Sequence, residues 1–313
     1  MPDAMPDHAA DYDNPWKEAL DYYFEPFLLL VFPHIWGDID WQRGYESLDK
    51  ELQRVVRDAE TGKRHADKLL KVWLQDGQET WVLIHVEVQS QVDSDFAERM
   101  FTYHYRIFDR YHQQVVSLAV LGDESPTWRP QGYGYDRWGC SINLTFPIVK
   151  LLDYLDDLSG LEESDNPFAV VVLAHLQSQM TRRDLQTRFE WKRRLVLGLY
   201  ERGYSRENIL ELFRLIDWMM TLPDALEQEL RDTLHRYQEE KRMPYITSFE
   251  RLAKEEERQE MITSVLEARF GELDEELRTA VAAMTKLSPS ELTPFLLHVS
   301  REELIERFGH PSP

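Results

Sequence analysis

Asp67, Glu87 and Gln89 are the residues of this chain whose types and spacing could do chemistry. Glu87 and Gln89 stand two apart in the run from Trp81 to Gln89. On an extended strand, residues two apart project from the same face. Hard cations such as Mg²⁺ take oxygen ligands, usually one or two protein carboxylates completed by water and substrate phosphate. Asp67 and Glu87 supply two carboxylates, and Gln89 adds an amide able to orient water or touch a phosphate. Asp67 alone would be an ordinary strand-start residue. Glu87 is the unusual one, because it interrupts the apolar residues from Val82 to Val88, where a charge is normally paired. An ion pair to Arg99 or Arg106 on the following segment is the structural alternative to a metal site.

A hairpin must position these groups. Ala66–Leu74 and Trp81–Gln89 both alternate, and Asp76-Gly77 between them is a strong turn signal. Lys68, Leu70, Val72 and Leu74 form one face of the first strand; Val82, Ile84, Val86 and Val88 form an apolar face of the second. Matching apolar to apolar sets Val72 opposite Val82, Leu70 opposite Ile84 and Trp73 opposite Trp81, because a one-residue slip would turn every side chain over. Asp67 then falls opposite Glu87. Two carboxylates so placed repel each other unless something positive lies between them. The register predicts a three-residue loop with Gly77 or its neighbour left-handed. His85, on the mixed face, reads as a packed, hydrogen-bonded histidine. His65 is a weak outer candidate opposite Gln89, and Lys71 lies two pairs from the centre.

Around the hairpin, residues 1–14 show no periodicity and read as a disordered lead-in. Asn14-Pro15 opens a helix, with Trp16, Leu20, Tyr23, Phe24 and Phe27 at helical spacing, predicted to end near Pro33. A short strand is expected over Glu51–Val56, a helix over 95–111, and strands over Val115–Leu121 and Ile142–Ile148, with a loop between the last two. From about 150 the pattern is helical, with segments near 166–180, 184–202, 205–221, 224–241, 248–270 and 274–286. Ser205, the Ser300/Glu303 capping box, Gly203 and Gly271 mark helix ends. The division expected is 15–155 for the domain carrying the hairpin, 156–245 for a helical extension and 246–313 for a C-terminal helical domain.

Composition narrows the classes. The chain has 313 residues, 42% of them hydrophobic, which is ample for a packed core, and one cysteine, which excludes a disulfide framework or cysteine-rich zinc site. Its richest apolar stretch, Phe24–Ile35, is broken by Glu25, Pro26, Pro33 and His34, so neither a membrane span nor a secretory signal is expected, and a cytoplasmic protein is. Net charge is −21, shared as −10 over 1–150 and −11 over 151–313, so neither half is a basic nucleic-acid module. Arg182-Arg183 and Lys192-Arg-Arg194 are the densest basic groups of the helical half, and read by default as solvated helix surface.

Ala-Asp67 on one strand and Val-Glu87-Val-Gln89-Ser on the next resemble the Asp…Glu-x-Gln form of the PD-(D/E)XK nuclease signature. Trp16-Lys-Glu-Ala-Leu, Leu48-Asp-Lys-Glu-Leu and Arg99-Met-Phe-Thr-Tyr are similar to the recombination-promoting nuclease and transposase-like (Rpn/YhgA-like) group, over residues 12–155. The stretch around Leu266-Glu-Ala-Arg-Phe-Gly resembles a helical domain of unknown function often appended to such nucleases. The resemblance implies an α/β (α+β), restriction-endonuclease-like αβββαβ core followed by a mostly helical region, and Mg²⁺-dependent (or Mn²⁺-dependent) hydrolysis of DNA. In that scheme Asp67 and Glu87 hold the metal, Gln89 stands where a lysine is commoner, and Glu18 or Glu51 is a further possible ligand. DNA is the partner implied, with self-association through the helical region left open. A nuclease-fold protein that no longer cuts and serves as a scaffold is the alternative.

Overall fold

The computed structural model describes residues 13–50, 52, 68–75, 81–241, 258–259, 261–271, 273–285, 287, 292, 294–296 and 299–308. These divide into two compact units, Met1–Leu230 and Arg231–Pro313. No described helix is long and apolar enough to cross a membrane.

The N-terminal helix expected to end near Pro33 is two helices, α1 (Asp13–Tyr22) and α2 (Phe24–Val31), and a further one, α3 (Pro33–Asp38), follows. Pro26 explains the first break. It has no N–H to offer, and its ring would meet the carbonyl of Tyr22 four residues back. Pro33 explains the second, sitting in the first turn of α3, where a missing N–H costs nothing.

Five strands form the central sheet in the order β1-β2-β3-β4-β7. They are β1 (Tyr45–Ser47), β2 (Lys68–Trp73), β3 (Trp81–Gln89), β4 (Val115–Leu121) and β7 (Ile148–Lys150). β1–β2 and β2–β3 are antiparallel; β3–β4 and β4–β7 are parallel. The hairpin register is the predicted one, with Leu70 opposite Ile84, Val72 opposite Val82 and Trp73 opposite Trp81. Its connecting loop around Gly77 lies outside the described residues. Helix α4 (Phe96–Tyr111) links β3 to β4, as a parallel pair requires.

Three strand expectations need correction. Leu52 is helical rather than part of a strand, and the strand of that region is Tyr45–Ser47, entered from Gly44 at a left-handed φ of 71°. Ile142–Ile148 is not one strand. Its first part belongs to β6 (Cys140–Thr145), which pairs with β5 (Gly132–Arg137) in a separate ribbon, and only its end joins the main sheet. Trp138 and Gly139 close that ribbon with φ of 55° and 82°, a two-residue turn that needs positive φ at both positions. The stretch read as loop up to residue 139 therefore contains β5.

The sheet is covered on both faces. Phe96, Met100, Tyr103 and Ile107 form one stripe of α4, at spacings of three and four. Tyr103 and Ile107 pack on Leu69 and Leu83, while Phe96 and Met100 pack on Ala119 and Leu121. Val82, Ile84, Val86 and Val88 point to the other face and are buried. α1 packs against β3. Lys68, opposite Val86, reaches Asp21 of α1, so α1 lies on that second face.

The helical extension completes the first unit with α5 (Leu158–Glu163), α6 (Pro167–Met180), α7 (Leu185–Glu201), α8 (Arg206–Met219) and α9, which begins at Asp224 and ends at Lys241 in the second unit. α6 is buried nearly all round, and α1 packs against both α6 and α8. The Ser205 cap forms as expected, accepting from the Asn208 amide. At the end of β4, the Gly122 carbonyl accepts from His175 Nε2 at 2.9 Å, and His175 Nδ1 accepts from Trp16 Nε1 at 3.1 Å. Burial pushes the His175 pKa down to about 4 against the pull of the Gly122 carbonyl, which keeps the ring neutral, as this one-donor, one-acceptor arrangement requires.

A Cβ at position 122 would stand 2.9 Å from two atoms of this fixed ring. Gly122→Ala is therefore expected to destabilise the protein by about 1–3 kcal/mol through overpacking. Thermal melts of the two proteins check this; equal melting temperatures would show that the ring yields freely.

Within the second unit, residues 261–270, Glu275–Met284 and Arg301–Phe308 are helical. Ile262, Leu266, Leu277, Val281, Met284 and Leu304 share one core. Gly271 ends the first helix at φ 82°, and Asp274 caps the next through the Leu277 amide. The Ser300/Glu303 capping box closes reciprocally, each side chain accepting from the other residue's amide.

Candidate active site

Glu87 and Gln89 project from β3 toward α4, together with His85. Asp67, the other half of the expected pair, lies outside the described residues, as do His65 and Glu51. Lys68–Val86 is the first pair of the β2–β3 ladder among the described residues.

Glu87 is 3% exposed, and its surroundings are polar rather than apolar. Its Oε1 lies 3.3 Å from His85 Nε2. His85, fully buried, places Nδ1 3.3 Å from Ser117 Oγ, its neighbour across the β3–β4 pair. Ser117 Oγ also meets His104 Nδ1 of α4 at 3.1 Å. Burial, with the positive Arg99 nearby, drives the His85 pKa down to about 3, so it is a neutral imidazole. His85 is thus the packed, hydrogen-bonded histidine its sequence position predicted. Burial and His85 together lower the pKa of His104.

Arg99 is the cation of this face. It donates to Gln89 Oε1 at 2.5 Å and to the Asp93 carboxylate. Burial works against its charge, but the carboxylates of Glu87 and Asp93 outweigh burial and raise its pKa. Arg99 therefore neutralises Glu87 through the local field while hydrogen-bonding Gln89. Gln89 Nε2 donates to the Gln91 carbonyl at 2.9 Å, so its amide is oriented at both ends. Next along, the Ser90 hydroxyl is buried with no hydrogen-bond partner among the described residues. Glu87 contributes a buried carboxylate and Gln89 an amide oxygen held by Arg99, oxygen donors of the kind a hard divalent cation takes. Among the described residues, no group of three or more His, Cys, Asp or Glu side chains is arranged to hold a metal ion.

Other candidates are employed elsewhere. Glu18 is ion-paired with Arg214 of α8. Lys71 bonds Glu46 at 3.2 Å and lies over the Trp73 ring. Tyr103 packs edge-on against His85. The basic groups of the helical half face carboxylates: Arg182 meets Glu124, Arg193 meets Glu190, and Arg194 meets Glu162. Lys192, expected on a solvated surface, is fully buried between Asp217 and Glu227.

Sequence reasoning missed a second polar cluster on the α1 face. Lys68 is 2% exposed and holds both Asp21 and Asp49, the latter at 2.6 Å. Asp49 also accepts from the Leu69 amide at 3.0 Å. Alternation alone gave Lys68 an apolar face; its partners come from α1 and from Asp49, just after β1.

No curated protein and no solved structure matches the chain. Residues 48–120 match the model of a family described as "Putative transposase, YhgA-like". That stretch runs from the residue before Asp49 through β2, β3 and α4 into β4, and contains Glu87, Gln89, Arg99, His85, His104 and Ser117. Over the residues that build this site, the chain is similar to a transposase-like family.

Proposed function

We propose that this protein is a metal-dependent DNA endonuclease of PD-(D/E)XK type, serving recombination or mobile elements. The observation that carries the reading is Glu87. A carboxylate is buried on β3, two residues before an oriented glutamine. The sequence register expects Asp67 opposite it, and a sheet built for stability alone avoids opposed acids. The similarity of residues 48–120 to a transposase-like family supports the same reading.

Asp67 and Glu87 would hold Mg²⁺ or Mn²⁺. Once bound, such an ion supplies Lewis acidity toward a phosphate oxygen and lowers the pKa of water. The chain's own part is to present the two acids, to orient Gln89 toward water or phosphate, and to balance the negative charge with Arg99. Gln89 can neither carry charge nor act as a base at neutral pH, so Arg99, which holds it, is the fixed positive group on this face.

One observation favours a second reading, a nuclease fold that binds without cutting. Arg99 already stands where its charge offsets Glu87, and the chain's net charge is −21. Incubation of supercoiled plasmid with Mg²⁺ or Mn²⁺, with and without EDTA, separates the two. Nicking by the wild type that EDTA and Asp67→Ala both remove is the expected result. Nicking that survives in Asp67→Ala overturns the assignment, and its absence from both proteins favours the scaffold.

A further inference from the structure

We propose that the buried chain His104–Ser117–His85 is a positioning device for the Glu87 carboxylate, fixing which imidazole nitrogen donates to it and hence where its oxygens point. The inference rests on the metal-site reading of Glu87. Three elements contribute: His85 and Glu87 from β3, Ser117 from β4 as the cross-strand partner of His85, and His104 from α4. His85, Ser117 and Glu87 are all buried, while His104 is half-buried at the outer end. Ser117 is thus too enclosed to meet a substrate, and the group is no nucleophilic triad.

The donors and acceptors leave one consistent direction. An ionised carboxylate only accepts. His85 Nε2 must therefore carry the proton it shares with Glu87 Oε1, at 3.3 Å. A neutral imidazole has one N–H, so His85 Nδ1 must accept, and the hydroxyl 3.3 Å away is Ser117. With its hydrogen so committed, Ser117 Oγ accepts from His104 Nδ1, at 3.1 Å. In this direction His85 and Ser117 each donate once and accept once, Glu87 accepts and His104 donates. A histidine that needed only burial could be either tautomer. One that must donate to Glu87 can be only one, and the serine and outer histidine select it. Removing the direct partner of a metal ligand, here His85, typically changes metal affinity about 10–100-fold, and groups that orient that partner act at the lower end.

The full-length protein tests the proposal through two measurements that need no nicking. Nitrogen NMR of the metal-free wild type is expected to show His85 protonated at Nε2. Calorimetric titration with Mn²⁺ at fixed pH is expected to show affinity falling about tenfold in Ser117→Ala and returning to within about threefold in Ser117→Thr, which restores the hydroxyl. His104→Leu, at the half-buried end, is the variant that guards against misfolding of Ser117→Ala; it should weaken Mn²⁺ binding in the same direction. A wild-type His85 protonated at Nδ1, or Mn²⁺ affinity unchanged in both Ser117→Ala and His104→Leu, overturns the proposal. A protein that binds no Mn²⁺ overturns it together with the metal site. Loss of Mn²⁺ affinity in these variants without any nicking by the wild type supports the positioning role and rejects the nuclease.

Discussion

Glu87→Gln is expected to remove metal-dependent stabilisation and to lower Mg²⁺-dependent nicking by at least about 100-fold. Even partners of metal ligands typically cost 10–100-fold when changed, and a ligand itself should cost no less. The substitution keeps the volume of a side chain that is 3% exposed, so packing is preserved. It keeps an oxygen able to accept from His85 Nε2. What it removes is the negative charge. An ion bound at 100 times its dissociation constant stabilises the folded state by about 2.7 kcal/mol. Scanning calorimetry of the wild type should therefore show a melting temperature that climbs with Mg²⁺ or Mn²⁺, and Glu87→Gln should melt at one temperature throughout. In metal-free buffer the two should melt close together, since Arg99 keeps Asp93 and Gln89 as partners. A variant that still rises with Mn²⁺ like the wild type would locate the ion elsewhere.

The second large effect concerns stability. Lys150 on β7 and Asp123 after β4 form an ion pair in which both side chains are at most 2% exposed. Asp123 also accepts from the Ser125 amide at 2.9 Å, and the Lys150 ammonium lies 5.6 Å from the centre of the Trp128 ring. Asp123→Ala strands a buried ammonium. Breaking a buried pair from one side costs about 3–5 kcal/mol, because the remaining charge is neither hydrated nor balanced. At about 2–4 °C per kcal/mol for a unit of this size, the midpoint should drop by about 6–20 °C. Replacing both residues with apolar ones of similar volume, Asp123→Leu with Lys150→Met, should recover most of that loss. If the single variant melts with the wild type, the pair is exchanging with water and the burial argument fails. Lys68 and Lys192 are less suited to this experiment, because Asp21 and Asp217 are each about half exposed.

The parts of the fold legible in sequence were those whose pattern is long compared with its period. The β2–β3 hairpin was readable because four apolar residues of β3 alternate without interruption, and a slip of one position would expose them all. Helix α4 was readable from Phe96, Met100, Phe101, Tyr103, Phe108 and Tyr111, of which Phe96, Met100 and Tyr103 are core while Phe108 is half exposed. Three-residue strands such as β1 and β7 carry no measurable period, and β5 hid among glycines that signal turns as readily as close strand approach. The break after Tyr22 was legible in principle from Pro26, which the aromatic spacing on either side concealed.

The candidate site shows the same division. Glu87 and Gln89 announced themselves as polar residues in an apolar strand, and Arg99 was named as the structural rival because it opens the next helix. The link from His85 through Ser117 to His104 had no local signature. It depends on the parallel register of β4 against β3 and on the rotation of α4 above them, neither of which a strand's own residues specify. Buried lysines escaped for a related reason. Lys68, Lys150 and Lys192 find their acids 19 to 47 positions away, across elements whose docking angle no local pattern encodes.

The clasp between Trp16 and His175 has a consequence for how the chain is made. Its two halves are separated by 159 positions, and Glu18 likewise waits for Arg214, 196 positions on. At ribosomal speeds of about 5–20 residues per second, Trp16 and Glu18 wait about 8–40 s for these two partners. Until then α1 has β3 and Lys68 to pack on, but not α6 and α8. α1 is thus made before the helices that lock it in place, and the nascent protein passes through a stage that invites chaperone capture.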